Sequence, residues 1–236
     1  MTPIRVAIID SGINPQHSHV QAVAAGVSFH VAADGAIVAG EDWRDRFGHG
    51  TAVAGAVRLF APAAELLAIN VVDGQGRSSA EQLVAAIVWA IRHEATIINL
   101  SLGTANPEHA GMLSEAVDLA LASGATVVAA APSQGAVLWP AALPQVIGVK
   151  SDERLAPKSI GFMAEHDPPW RAFGRPRALP GPAQAKNFKG SSFAAARLSG
   201  MLARQASVSG ERNRATLIAW LHETAVPLTA EAPQAI

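Results

Sequence analysis

The sequence predicts an α/β fold of three layers, α/β/α, built on a mostly parallel twisted sheet, and three observations predict it. Residues 4–9, 66–72, 96–100, 126–131 and 146–149 are short, nearly continuous apolar runs, the pattern of strands covered on both faces. Longer segments with helical spacing lie between several of these runs, the order that joins parallel strands through crossovers. Turn residues close the runs, as in Asp10-Ser11-Gly12 and Asp73-Gly74.

In chain order, residues 4–9 form a β-branched strand that ends at the Asp10 turn, and residues 50–60 form a helix rich in Ala and Gly, suited to tight internal packing. After the strand at 66–72, Ser79 with Gln82 three residues on forms a capping box, and Leu83, Ile87, Ala90 and Ile91 recur at helical spacing up to His93. The strand at 96–100 leads to a helix over 111–123 that Gly124 stops as the residue after its cap. Strands at 126–131 and 146–149 follow. Residues 152–189, with six prolines among scattered charges, read as an irregular connection, and helices over 191–205 and 211–224 close the chain before a tail at 231–236 that is expected to fray.

The 236 residues fit a single domain, 1–236, because cores divide only beyond ~250 residues. Half of them are hydrophobic and 16% are charged, which excludes general disorder. A net charge of −1 without like-charge runs gives no sign of nucleic acid or an anionic membrane as partner. The absence of Cys removes disulfides, thiolate catalysis and Cys-ligated zinc, leaving His, Asp, Glu and Ser for any chemistry. No apolar run reaches the ~18 residues that cross a bilayer. The first residues lack the features of a signal peptide, so the expectation is a cytoplasmic chain with no prodomain.

Three residues join reactive side chains to contexts that expose them. Asp10 ends the first strand, at the sheet edge where open α/β folds place their sites, although Asp-Ser-Gly is also an ordinary turn. His49 sits in Gly48-His49-Gly50-Thr51, where the glycines leave the imidazole uncovered, although a capping or core histidine fits as well. Ser192 lies in Gly190-Ser191-Ser192-Phe193-Ala194-Ala195 at the start of a helix. A cap is the ordinary role there, but the helix dipole and free amides also favour negative charge on a substrate oxygen. A dinucleotide site after the first strand lacks its Gly-x-Gly-x-x-Gly turn.

Taken together, Asp10-Ser11-Gly12-Ile13 with His17, Gly48-His49-Gly50-Thr51 with Val53-Ala54-Gly55, Asn99-Leu100-Ser101-Leu102-Gly103, Pro140-Ala141 and Gly190-Ser191-Ser192-Phe193-Ala194, in that order, resemble the subtilisin-like serine proteases. The resemblance implies that Ser192 attacks a peptide carbonyl, His49 takes and returns the proton, and Asp10 orients the imidazole and stabilises its cation. It also implies that Ser101, Leu102 and Gly103 pair with an extended substrate and that Ala129, Ala130 and Ala131 wall the pocket for the side chain before the cut. The Ser192 amide and the residue at position 133 would form the oxyanion hole.

Departures from the family pattern bear on activity. The family's oxyanion Asn is replaced by Ser133, whose hydroxyl is shorter, with Gln134 beside it; losing such a donor costs about 10² to 10³ in kcat in an example drawn from this family. Ser191, Ala52 and Ala196 replace a usual Thr, His and Pro without removing a triad group. No cofactor and no metal site are expected: no compact acidic loop offers calcium ligands, and although His17 and His19 could share a metal by spacing alone, the resemblance implies a structural role for His17. The expected function is a selective processing endopeptidase acting on a peptide or protein substrate, such as a precursor peptide. Its competitors are a pseudoprotease that binds a peptide or partner protein through the same cleft, and an esterase.

Overall fold

The computed structural model describes residues 2–132 and 135–229. Among them ten strands form one sheet in the order β10-β8-β9-β7-β6-β5-β1-β4-β2-β3. The centre is built from β1 (Arg5–Asp10), β4 (Glu65–Asn70), β5 (Ile97–Leu100), β6 (Thr126–Ala130) and β7 (Ile147–Ser151), all parallel. These are the five strands expected from the apolar runs. On one side the sheet is extended by β2 (Ala25–Val31) and β3 (Ile37–Gly40), and on the other by β8 (Ile160–Phe162), β9 (Trp170–Ala172) and β10 (Val226–Pro227). Only the pairs β2–β3 and β8–β9 are antiparallel.

Alternation along the buried strands divides the core in two. Val6 and Ile8 of β1 face a cluster with α1 (His49–Phe60), α4 (Ser191–Ser209) and α5 (Arg214–Thr224). Ala7 and Ile9, one residue out of step, face a second cluster with α2 (Ala80–Arg92) and α3 (Ala110–Ala122). Helices therefore cover both faces, which gives the expected three layers. The capping box of α2 is formed: the Gln82 amide donates to Ser79 Oγ at 3.2 Å and the Ser79 amide donates to Gln82 Oε1 at 2.8 Å. Beyond α3, Gly124 takes φ 88°, the left-handed conformation expected of it.

Two sequence expectations are corrected. The connection at 152–189 is not wholly irregular, since β8 and β9 form a hairpin that continues the sheet past β7. Three-residue strands are too short to show a period among prolines. The hairpin of β2 and β3 has no counterpart among the expected strands; it turns at Asp34-Gly35, where Gly35 takes φ 85°. The tail expected to fray at 231–236 lies outside the described residues. No helix among the described residues is long and apolar enough to cross a membrane.

Candidate active site

The carboxyl ends of the central strands carry the site. Asp10 is the last residue of β1 and is 2% exposed. Gly48, at φ 83°, turns the chain into α1 so that His49 is its first residue. The imidazole Nδ1 meets both oxygens of Asp10, at 2.8 Å from Oδ1 and 3.0 Å from Oδ2. Gly50 permits this approach, because a Cβ on it would stand 2.1 Å from the Gly12 carbonyl oxygen and 3.1 Å from Asp10 Oδ1. The Ser11 amide donates to Asp10 Oδ1 at 2.7 Å and fixes the carboxylate from the other side.

Burial opposes protonation of His49, but the hydrogen bond that its Nδ1–H donates to Asp10, the charge of Asp10 and the charge of Asp45 outweigh it and hold the imidazole above its ordinary value. Phe188 and Phe193 pack against the ring, with centroids 5.6 and 5.2 Å away. With Nδ1 held by a carboxylate, Nε2 is the nitrogen left to exchange a proton.

Ser192 is half-buried in the first turn of α4, beside Phe193. Gly190, at φ 132°, makes the turn that starts this helix, the Ser151 amide donates to Ser191 Oγ at 3.1 Å, and the Gly190 amide donates to the Gly174 carbonyl at 2.8 Å. The Ser192 hydroxyl donates to the Ser101 carbonyl at 3.1 Å. The structure thus brings Asp10 and His49 into direct contact and joins Ser192 to Ser101; a serine hydroxyl needs only a change of rotamer to turn elsewhere. The Phe193 amide donates to the Gly190 carbonyl at 3.1 Å, while the amides of Ser191 and Ser192 that precede it have no intrahelical acceptor, so negative charge beside Ser192 is favoured.

Ser101 follows the end of β5, and Leu102 and Gly103 make no main-chain hydrogen bond among the described residues until Thr104 pairs with Trp139. Gly103 is needed for close approach, since a Cβ there would stand 2.2 Å from the Trp139 carbonyl oxygen. A buried chain supports Ser101: Ser199 Oγ donates to Asn99 Oδ1 and Asn99 Nδ2 donates to Ser101 Oγ, both at 3.0 Å. Ala130 and Ala131 are buried at the end of β6, and the Ala131 amide donates to the Val149 carbonyl at 2.9 Å. Ser133 and Gln134 lie outside the described residues. A cleft of about 850 Å³ opens on the far side of Ser11, lined by Ser11, Phe47, Asn70, Asp73 and Arg77 among others, and reaches none of Asp10, His49 and Ser192.

Sequence reasoning passed over Asp45. Its Oδ1 accepts from Ser11 Oγ at 2.9 Å, the Phe47 amide at 2.9 Å and the Gly48 amide at 2.8 Å. Its Oδ2 accepts from the amide and hydroxyl of Thr51 at 2.8 and 2.6 Å. The sequence signal was its place three residues before Gly48, inside a stretch of mixed charge that reads as a solvated loop. His17 holds a turn, its Nδ1 accepting the His19 amide at 3.1 Å, so that nitrogen is engaged within the chain.

The fold is an α/β protein in which a buried carboxylate grips an imidazole and a serine stands at a helix N-terminus, all on the strand-end edge of a mostly parallel sheet. The chain belongs to the subtilase family, whose Peptidase_S8 model matches residues 2–235. It is 33% identical over 177 residues to subtilisin NAT of Bacillus subtilis subsp. natto, covering 67% of this chain and 44% of that protein. It is 37% identical over 162 residues to subtilisin DY of Bacillus licheniformis, covering 62% and 55%. The chain therefore spans about half the length of the curated relatives it matches. Among solved structures, a lanthipeptide protease superposes with a TM-score of 0.71 at 20% identity, over 96% of this chain and 81% of that one, a likeness of fold.

Proposed function

We propose that this chain is a serine endopeptidase that cleaves an extended peptide through Asp10, His49 and Ser192. The observation that carries the reading is the two-oxygen contact of Asp10 with His49 Nδ1, which leaves Nε2 to act as base. In the reaction Ser192 Oγ turns from the Ser101 carbonyl towards Nε2 and gives up its proton as it bonds to the substrate carbonyl carbon. The oxyanion forms beside the Ser192 amide, the imidazolium faces Asp10, and its proton passes to the leaving amine as the C–N bond breaks; a water that gives its proton to His49 then cleaves the Ser192 ester, and His49 returns that proton to the serine oxygen. The free main chain of Leu102 and Gly103 supports pairing with the acyl side of the peptide.

Selective processing of a precursor peptide in the cytoplasm is the finer reading. It is supported by the loss of the usual oxyanion Asn, which argues against broad digestion, and by the fold likeness to a protease named for lanthipeptides. Labelling with a serine-directed fluorophosphonate tests the enzyme reading: intact protein takes up the label and Ser192→Ala does not. Equal behaviour of the two proteins would remove it.

One observation favours a second reading, a binding protein without catalysis. The Ser192 hydroxyl is engaged by Ser101, not by His49. On that reading a peptide binds with the same affinity to wild type and Ser192→Ala and is recovered uncut from both.

A further inference from the structure

Asp45 makes no hydrogen bond to His49, yet every group it holds borders the Asp10–His49 pair. Ser11 adjoins Asp10 and donates its amide to that carboxylate, while its hydroxyl donates to Asp45 and accepts the Gly50 amide at 3.0 Å. Gly48 and Thr51 stand on either side of His49 in the chain, and both donate to Asp45. The N-cap of α1 is a glycine with no side chain to offer, so Asp45 supplies the acceptor for Thr51 and Ser11 the acceptor for Gly50. One carboxylate therefore fastens the strand that carries Asp10 to the helix turn that carries His49.

We propose that Asp45 is a positioning residue for His49, locking the turn from which the imidazole projects and setting a second negative charge beside the Asp10–His49 pair. Asp10 of β1 faces the imidazole directly. From α4 and the segment before it come Phe193 and Phe188, both uncharged. The adjoining cavity of about 230 Å³ that reaches Gly48 and Asp45 also holds His17, His19 and Arg177. Among the described residues Arg177 is the one fixed cation in its lining; burial, then Arg177 and His17, hold His19 below its ordinary value. Arg46, on the same loop as Asp45, is paired with Asp42 at 2.7 Å. Asp45 thus adds to Asp10 in favouring the imidazolium that forms when Ser192 gives up its proton.

The inference rests on the peptidase reading for its kinetic consequence, but its test does not. Histidine-labelled protein is titrated by NMR as wild type, Asp45→Asn, Asp45→Ser and, as a control, Asp42→Asn. Both Asp45 variants lower the His49 midpoint by about half a unit or more, and the acid limb of kcat/KM moves with it. Asp42→Asn leaves the midpoint in place. An unmoved midpoint in either folded Asp45 variant overturns the proposal, and so does unfolding of both, which assigns Asp45 a purely structural part. Failure of the wild type to take up fluorophosphonate counts against the proposed function instead, and leaves the titration result standing.

Discussion

His49 is where charge, proton and geometry meet. On the proposed function its neutral form is the base; its folded value is held above the ordinary imidazole value of ~6.5, so kcat/KM is expected to rise with pH through a midpoint above that figure, read in a peptide cleavage assay. The same raised value contributes stability that is complete below the unfolded-state midpoint and is lost as pH rises through the folded one. Asp10→Asn, which removes the main partner, is expected to shift the acid limb down and reduce kcat by roughly 10⁴, read in a peptide cleavage assay across pH. Gly50→Ala forces a methyl against the Gly12 carbonyl and the Asp10 carboxylate. It is expected to cost about 10² or more in kcat/KM, with a loss of about 2 kcal/mol in urea unfolding. Asp10, His49 and Ser192 stood out as candidates because a glycine lies within two residues of each, a local signal. Asp45 was not, because its significance is the convergence of donors from residues 11, 47, 48 and 51, and only the fold shows that they converge.

Arginines that leave the surface do the work of connecting elements. Arg58, in the last turn of α1, donates to the carbonyls of Val20, Ala22, Pro62 and Ala64, and so ties the segment before β2 and the segment before β4 to one helix end. Arg197 of α4 does the same for the carbonyls of Pro157, Arg175 and Pro176, with the ring of Phe173 under its guanidinium. Arg58→Met keeps the length of the side chain but leaves buried carbonyls unpartnered; a loss of about 3 kcal/mol or more is expected in urea unfolding. The central strands and the capped helices were readable because burial on both faces leaves an unbroken apolar run and a cap leaves a fixed spacing. The edge hairpin of β2 and β3 is exposed in part and mixes polar with apolar residues, so its clearest sign was the Asp34-Gly35 turn. In β8 and β9 three residues each gave no period to detect.

Across the molecule, the sheet order puts β1 between β5 and β4, and α1 packs beside α4, so the helix that carries His49 lies against the helix that carries Ser192. Gly200 sets their spacing, since a Cβ there would lie 2.7 Å from the Val57 carbonyl oxygen. Gly200→Val is therefore expected to push the helices apart, with slower fluorophosphonate labelling of Ser192 and a loss of about 2 kcal/mol in a thermal melt. The same arrangement has a consequence during synthesis. Asp10, His49 and Ser101 leave the ribosome early, but Ser192 and the helix that seats it against α1 follow strands β1 to β9. On the proposed function, a growing chain holds no nucleophile until nine of the ten strands among the described residues have been made.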